Sequence, residues 1–173
     1  LAPARRAAGR DGRAGAMFPW QSGSDGREET QTMHLNPKSG RWLPDNSCLQ
    51  RHIGIAVAYN VWSYYQVTGD VEFLRFRGAP MIIEIARPET VRTWSRIARF
   101  MANLATYNEA LDPYEIKGVM GPDEYHDAYP DAEVAGLDNN AYTNVMAAWV
   151  MCRALNILDL LPDHQGRELS EQL

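Results

Sequence analysis

Between Asp45 and Asp70 the chain reads DNSCLQRHIGIAVAYNVWSYYQVTGD, with apolar residues on two rows of a single helical projection. Ile53, Ala56, Val57, Val61, Tyr64 and Tyr65 recur at helical spacing, and Ile55, Ala58 and Trp62 add a second row. A helix that is apolar on most sides must be covered on most sides. The segment therefore predicts a helix over 45–68 at the centre of a packed chain. Gly69 supplies a natural left-handed stop, and Asp70 supplies a capping oxygen for the helix that follows.

That next helix, DVEFLRFRGAPMIIEIAR, is interrupted by Gly78 and Pro80. Because proline removes a helical hydrogen bond and clashes with the preceding turn, a break or kink is expected there. Pro88 and Glu89 open a third helix, PETVRTWSRIARFMANLATYNEA, with Val91, Trp94, Ile97, Ala98, Met101, Leu104 and Ala105 on one face. Asp138 or Asn139 caps a fourth, DNNAYTNVMAAWVMCRALNILDLLP, whose expected core stripe is Val145, Ala148, Trp149, Cys152 and Leu155. Pro162 ends it, and HQGRELSEQL reads as one more helix.

No segment gives a convincing sheet, although YEIKGVM has a short extended piece. The fold class is all-α, built from helical hairpins, with one long structured acidic loop from about Leu111 to Asn139. Residues 1–16, which carry Arg5, Arg6, Arg10 and Arg13, are read as the solvated end of a truncated helix or as unstructured, in preference to a transit peptide. Neither end resembles a natural terminus, so 17–173 is expected to be part of a larger catalytic domain.

A net charge of −5 argues against nucleic acid as the main partner. No run of about 18 apolar residues is present, so no membrane span is expected. Cys48 and Cys152 lack metal-type spacing, Cys152 reads as a small core hydrophobe, and a reducing cytoplasm is the expected location.

Chemistry concentrates in KGVMGPDEYHDAYPDAEVAGLDNN, residues 117–140. Gly118, Gly121 and Pro122 fix the backbone ahead of Asp123, Glu124, Tyr125 and His126, which suits presentation of a catalytic acid. The same residues also fit an acidic surface loop, or a Ca²⁺-type site from Asp127, Asp131, Glu133 and Asp138 that lacks the regular spacing of an EF-hand loop. A second stretch, FPWQSGSDGREETQTMHLNP at 18–37, interleaves aromatic, amide, hydroxyl and acidic groups. Trp20 there offers a flat face to a sugar, and Gln21 offers a donor and an acceptor. A polar surface loop anchored by Phe18 and Trp20 is the alternative. His52 reads as a hydrogen-bonded structural residue.

FPWQSGSDGREET, LPDNSCLQRHIGIAVAYNVWSYY and GVMGPDEYHDAYPDAEVAGLDNNAYTN together resemble glycoside hydrolase family 65, from about Met17 to Pro162. That family contains inverting disaccharide phosphorylases, such as those for maltose, trehalose and kojibiose, and some hydrolases. The resemblance implies part of an (α/α)6 barrel, with Glu124 as general acid. It implies a disaccharide and inorganic phosphate as reactants, β-glucose 1-phosphate as product, no cofactor and no metal. Trp20, Gln21, Asp123, His126 and Asn140 become candidate substrate-binding or acid-supporting residues, and a homodimer is implied for the full-length protein. A trehalase-like inverting hydrolase on the same fold, or an inactive truncated scaffold, are the alternatives.

This sequence departs from the family pattern in several places. Gln21 stands where an acid commonly follows the tryptophan. PETVRTWSR at 88–96, between two IAR tripeptides, reads as a local insertion, and Pro80 replaces a helix-compatible residue. The family's FWD-type block and its KQAD block with the phosphate-binding loops are not among these residues. The 173 residues alone are therefore expected to be inactive.

Overall fold

The computed structural model describes residues 1–86, 101, 104–110, 114–123 and 126–162. Along the chain lie α1 (Ala2–Arg10), a hairpin of β1 (Met33–Asn36) and β2 (Arg41–Pro44), and α2 (Ile53–Thr68). A run of α3 (Val71–Phe73), a π turn (Leu74–Gly78) and α4 (Ala79–Ala86) follows. A second two-stranded pair, β3 (Ala105–Tyr107) and β4 (Tyr114–Ile116), precedes α5 (Ala141–Leu160). The described chain is thus helical with two small antiparallel sheets. The all-α expectation holds for the core and fails at its margins.

α2, α4 and α5 contact one another pairwise and enclose the core. Ile55, Ala58, Val61 and Trp62 come from α2, Ile82, Ile83 and Ile85 from α4, and Ala147, Val150, Ala154 and Ile157 from α5. α2 begins at Ile53 rather than Asp45, because Asp45 Oδ1 accepts the Ser47 N–H at 2.9 Å and turns the chain into a single 3₁₀ turn at Ser47–Leu49. Such local side-chain bonds compete with helix. Only one side of α2 is covered here: Ala56, Tyr64 and Val67 are exposed. At its end Gly69 adopts φ 64°, and Asp70 Oδ1 accepts from the Phe73 N–H at 2.8 Å, both as the sequence predicts.

At Gly78–Pro80 the helix does not break. It widens into the π turn at Leu74–Gly78 and then continues as α4. Pro80 would clash with the carbonyl four residues back, at Phe76, and Phe76 lies within the widened turn. Residues 1–16 also differ from expectation. α1 is a packed helix rather than a solvated end: Ala4, Ala7 and Ala8 are buried, and Arg5 places two nitrogens 3.2 Å from the two oxygens of fully buried Glu84. A small-residue face permits the close approach, and the guanidinium compensates a carboxylate that would be costly to bury alone.

Leu104 ends a helical stretch and Ala105–Tyr107 is strand, so the predicted third helix does not run to Ala110. The rest of that helix (Val91, Trp94, Ile97 and Ala98 included), the 88–96 insertion and the predicted helix after Pro162 lie outside the described residues. On α5 the inward stripe is Thr143, Ala147, Val150, Ala154 and Ile157. Of the expected stripe, Val145, Ala148, Cys152 and Leu155 are exposed and Trp149 is half-buried, so Cys152 is not a core residue. α5 carries two apolar stripes, and within this chain α2 and α4 cover the one with the smaller side chains.

Candidate functional site

The acidic loop is closed at its base. Val119 and Leu137 exchange backbone hydrogen bonds as an antiparallel bridge, and the Gly118 N–H donates to Asp138 Oδ1 at 3.1 Å. The Tyr129 hydroxyl donates to the Asp138 carbonyl and accepts the Asp138 N–H. Asn139, at φ 54°, stitches β4 to the start of α5: its Oδ1 accepts the Ile116 N–H and its Nδ2 donates to Glu115. Glu115 also accepts from Asn108 and pairs with Lys117 at 2.8 Å. Hydrogen bonds from Lys117 and then Asn108 hold its carboxyl below the usual range against desolvation, with a smaller contribution from Asn139.

Inside this frame the Gly121 N–H donates to the His126 carbonyl at 2.8 Å, and the His126 N–H to the Asp123 carbonyl at 3.3 Å. A Cβ on Gly121 would lie 2.7 Å from His126 Cγ, so the turn admits only glycine as it stands. Glu124 and Tyr125 lie outside the described residues, while Asp123 and His126 on either side are described.

Pro122, Asp123 and Asp127 of the loop form one wall of a cleft of about 420 Å³, a size suited to a small ligand. Trp20, 48% exposed, lines it too, as do Leu35 and Pro44 of the hairpin and the 45–50 segment. Asn46 Nδ2 donates to Asp127 Oδ2 at 2.7 Å, fastening the loop to the segment ahead of α2. Burial alone would raise the Asp45 pKa. Hydrogen bonds from Ser47 and Gln31, with His34 at 3.6 Å, outweigh that and hold the carboxyl below its usual value.

Trp20 and Asp123, far apart in sequence, thus meet on one cleft. Gln21 and His126 are exposed and do not line it. Asn140 is the α5 N-cap, its Oδ1 accepting from the Thr143 N–H and hydroxyl. The helix is therefore capped by Asn140 rather than by Asp138 or Asn139. His52 is buried edge-on to Tyr142, and burial pushes its imidazole below 6.5, partly offset by a hydrogen bond with the Met120 backbone.

Sequence reasoning missed the cleft roles of Asp45, Asn46 and His34, and read Asp127 as a solvated loop residue. A PDNS stretch facing an acidic loop carries no periodic signal; only the Asx-turn chemistry of Asp45 was available to mark it. Asp127, Asp131, Glu133 and Asp138 do not gather as a Ca²⁺ site. Asp127 and Asp138 bond to different groups, and among the described residues no three His, Cys, Asp or Glu side chains converge as metal ligands.

A helical core thus backs a polar cleft with an aromatic wall. Residues 1–173 match the glycosyl hydrolase family 65 central catalytic domain, and the chain belongs to that family. It is 54% identical over its whole length to an uncharacterized glycosyl hydrolase of Mycobacterium tuberculosis, spanning 12% of that protein. It is 44% identical to the trehalose 6-phosphate phosphorylase of Lactococcus lactis (94% of this chain, 19% of that one). It is 37% identical to the kojibiose phosphorylase of Halothermothrix orenii (98% of this chain, 19% of that one). A solved structure from the human microbiome, assigned provisionally as a kojibiose phosphorylase, superposes with a TM-score of 0.64 at 22% identity, over 99% of this chain and 23% of that one. That likeness concerns the fold. Among the described residues no helix is long and apolar enough to cross a membrane.

Proposed function

We propose that this chain is the proton-donor segment of an inverting α-glucoside phosphorylase. Glu124 protonates the glycosidic oxygen while inorganic phosphate attacks the anomeric carbon from the opposite face, releasing β-glucose 1-phosphate. Phosphate is already an anionic nucleophile, so one catalytic carboxylate suffices. An inverting hydrolase would need a second, about 6.5–9.5 Å away, to activate water. Asp123 lines the sugar cleft with Trp20, and His126 supports the acid's turn. Gln21 and Asn140 act beside them, Asn140 by fixing the start of α5.

The observation that carries this reading is the convergence of Trp20 with the acidic loop on one cleft, in a chain whose relatives include phosphorylases. Among those relatives, one is named for a phosphorylated disaccharide and others for uncharged glucosides. The helices belong to an (α/α)6 barrel completed by the rest of a cytoplasmic, homodimeric protein, which also supplies the phosphate-binding groups.

The test uses the full-length enzyme. Glu124→Gln keeps the shape and removes the proton, and should lower turnover of an unactivated disaccharide at least about a hundredfold. Full activity in that variant overturns the assignment. Sugar release that proceeds equally well without phosphate supports the hydrolase reading.

A further inference from the structure

Two attachments fasten the acidic loop to one short segment ahead of α2, and they fall on either side of the turn that carries Glu124. On the near side the Met120 N–H donates to the Leu49 carbonyl at 3.0 Å, and Gln50 Nε2 reaches Met120 Sδ at 3.7 Å. On the far side Asn46 Nδ2 donates to Asp127 Oδ2 at 2.7 Å, across 81 positions of sequence. Residues 121–126 thus lie between two ties to the same stretch, Asn46–Gln50. That stretch is shaped by its own bonds: Asp45 Oδ1 accepts the Ser47 N–H at 2.9 Å, and the Asn46 carbonyl accepts the Leu49 N–H at 2.8 Å.

The two ties differ in kind. The Met120–Leu49 bond runs backbone to backbone, whichever side chains those residues carry. The far tie is one amide on one carboxylate, both residues being half-buried. A short hydrogen bond to an ionised acceptor is stronger than one between neutral groups. The Asp127 carbonyl also accepts the Gly136 N–H, but that bond stays within the acidic loop. Among the described residues, Asn46 is the hydrogen-bond partner of the Asp127 carboxylate.

We infer that Asn46 is a positioning residue for proton transfer: by holding Asp127 it sets where the far end of the turn lies, and with it the acid carried between the two ties. The inference rests on the proton-donor reading above. A catalytic acid must come within hydrogen-bond reach of the leaving oxygen, and a misplacement of about 1 Å can cost about a hundredfold in rate. Asn46 acts through Asp127 and not on the sugar.

The experiment uses the full-length enzyme with inorganic phosphate. Kojibiose, maltose, trehalose and trehalose 6-phosphate are the disaccharides, and α-glucosyl fluoride is an activated donor. Phosphate displaces fluoride from the anomeric carbon to give β-glucose 1-phosphate, and fluoride leaves with little help from a proton. Asn46→Ala should lower kcat at least about tenfold on whichever disaccharide is cleaved fastest, and the fluoride rate by less than about threefold. Asn46→Asp sets two carboxylates against each other and should be at least as slow. Combining it with Asp127→Asn rebuilds the bond with donor and acceptor exchanged, and should recover most of the disaccharide rate. Amide exchange in peptides covering 117–128 needs no substrate. It should be about tenfold faster in Asn46→Ala and near wild type in the exchanged pair. Unchanged exchange or unchanged disaccharide turnover in Asn46→Ala overturns the inference. So does a raised KM that the exchanged pair leaves uncorrected, because Asn46 would then bind sugar directly. If Glu124→Gln cleaves the disaccharide at the wild-type rate, the proton-donor reading fails separately, and amide exchange still decides whether Asn46 holds the turn.

Discussion

Asn139 is the residue whose removal tests most directly how the acidic loop is held. Its side chain accepts the Ile116 N–H at 3.2 Å and donates to Glu115 at 3.0 Å, and its backbone sits at φ 54°. Asn139→Ala removes these two bonds, with a longer one from Asn144 Nδ2 to Asn139 Oδ1 at 3.4 Å, and puts a plain Cβ into a left-handed conformation. Losing the bond to Ile116 costs about 1 kcal/mol, the low end applying because Asn139 is exposed and water replaces part of the bond. The left-handed backbone costs about 1 kcal/mol more. Together, about 2 kcal/mol should come off the local opening free energy of the loop base, or roughly thirtyfold faster amide exchange. Hydrogen exchange of peptides covering 114–121 and 134–140 in the full-length protein reads this directly. Asn139→Gly relieves the backbone cost only, so it should recover about fivefold of the protection. Unchanged exchange in Asn139→Ala, or no difference between the alanine and glycine variants, would refute the stitch.

Two further outcomes follow from the same region. Gly121→Ala should displace the His126 ring and lower kcat at least about tenfold, and adding His126→Ala should restore the thermal midpoint by removing the clash. Because burial keeps the His52 imidazole neutral in the folded protein, its contribution is full above pH 6.5 and is lost as pH falls and the unfolded chain takes up the proton. Thermal midpoints should therefore drop from pH 7.5 to 5.5, and drop less steeply in His52→Gln.

Much of this was legible in sequence because the deciding groups are local. Gly69 and Asp70 end one helix and begin the next through their own backbone and side chain. Pro162 marks the end of α5 equally well. Which face of α5 turns inward was not legible: its apolar residues are spread round the axis, and only the position of α2 and α4 selects Val150 and Ile157 over Val145 and Leu155. The β1–β2 hairpin was missed because its strands hold four residues each and RWLP does not alternate apolar with polar residues. The acidic loop announced itself through glycine, proline and carboxylates. Its bond to Asn46, 81 residues earlier, could come only from the folded chain.

The π turn at Leu74–Gly78 has a consequence for how this chain can change. A π turn holds about one residue more than an α turn. Deleting one of its exposed residues, Phe76 or Arg77, lets the segment close as regular helix, and because the wide turn absorbs the extra residue within itself, the helix after it keeps its phase. Glu84 would stay opposite Arg5, and Ile82 and Ile85 on the faces that α2 and α5 cover. A one-residue deletion here should therefore be far less damaging than the same deletion inside α4, where losing a residue rotates everything after it by about 100°. The extra residue is taken up by the turn alone, and the core on either side keeps its register.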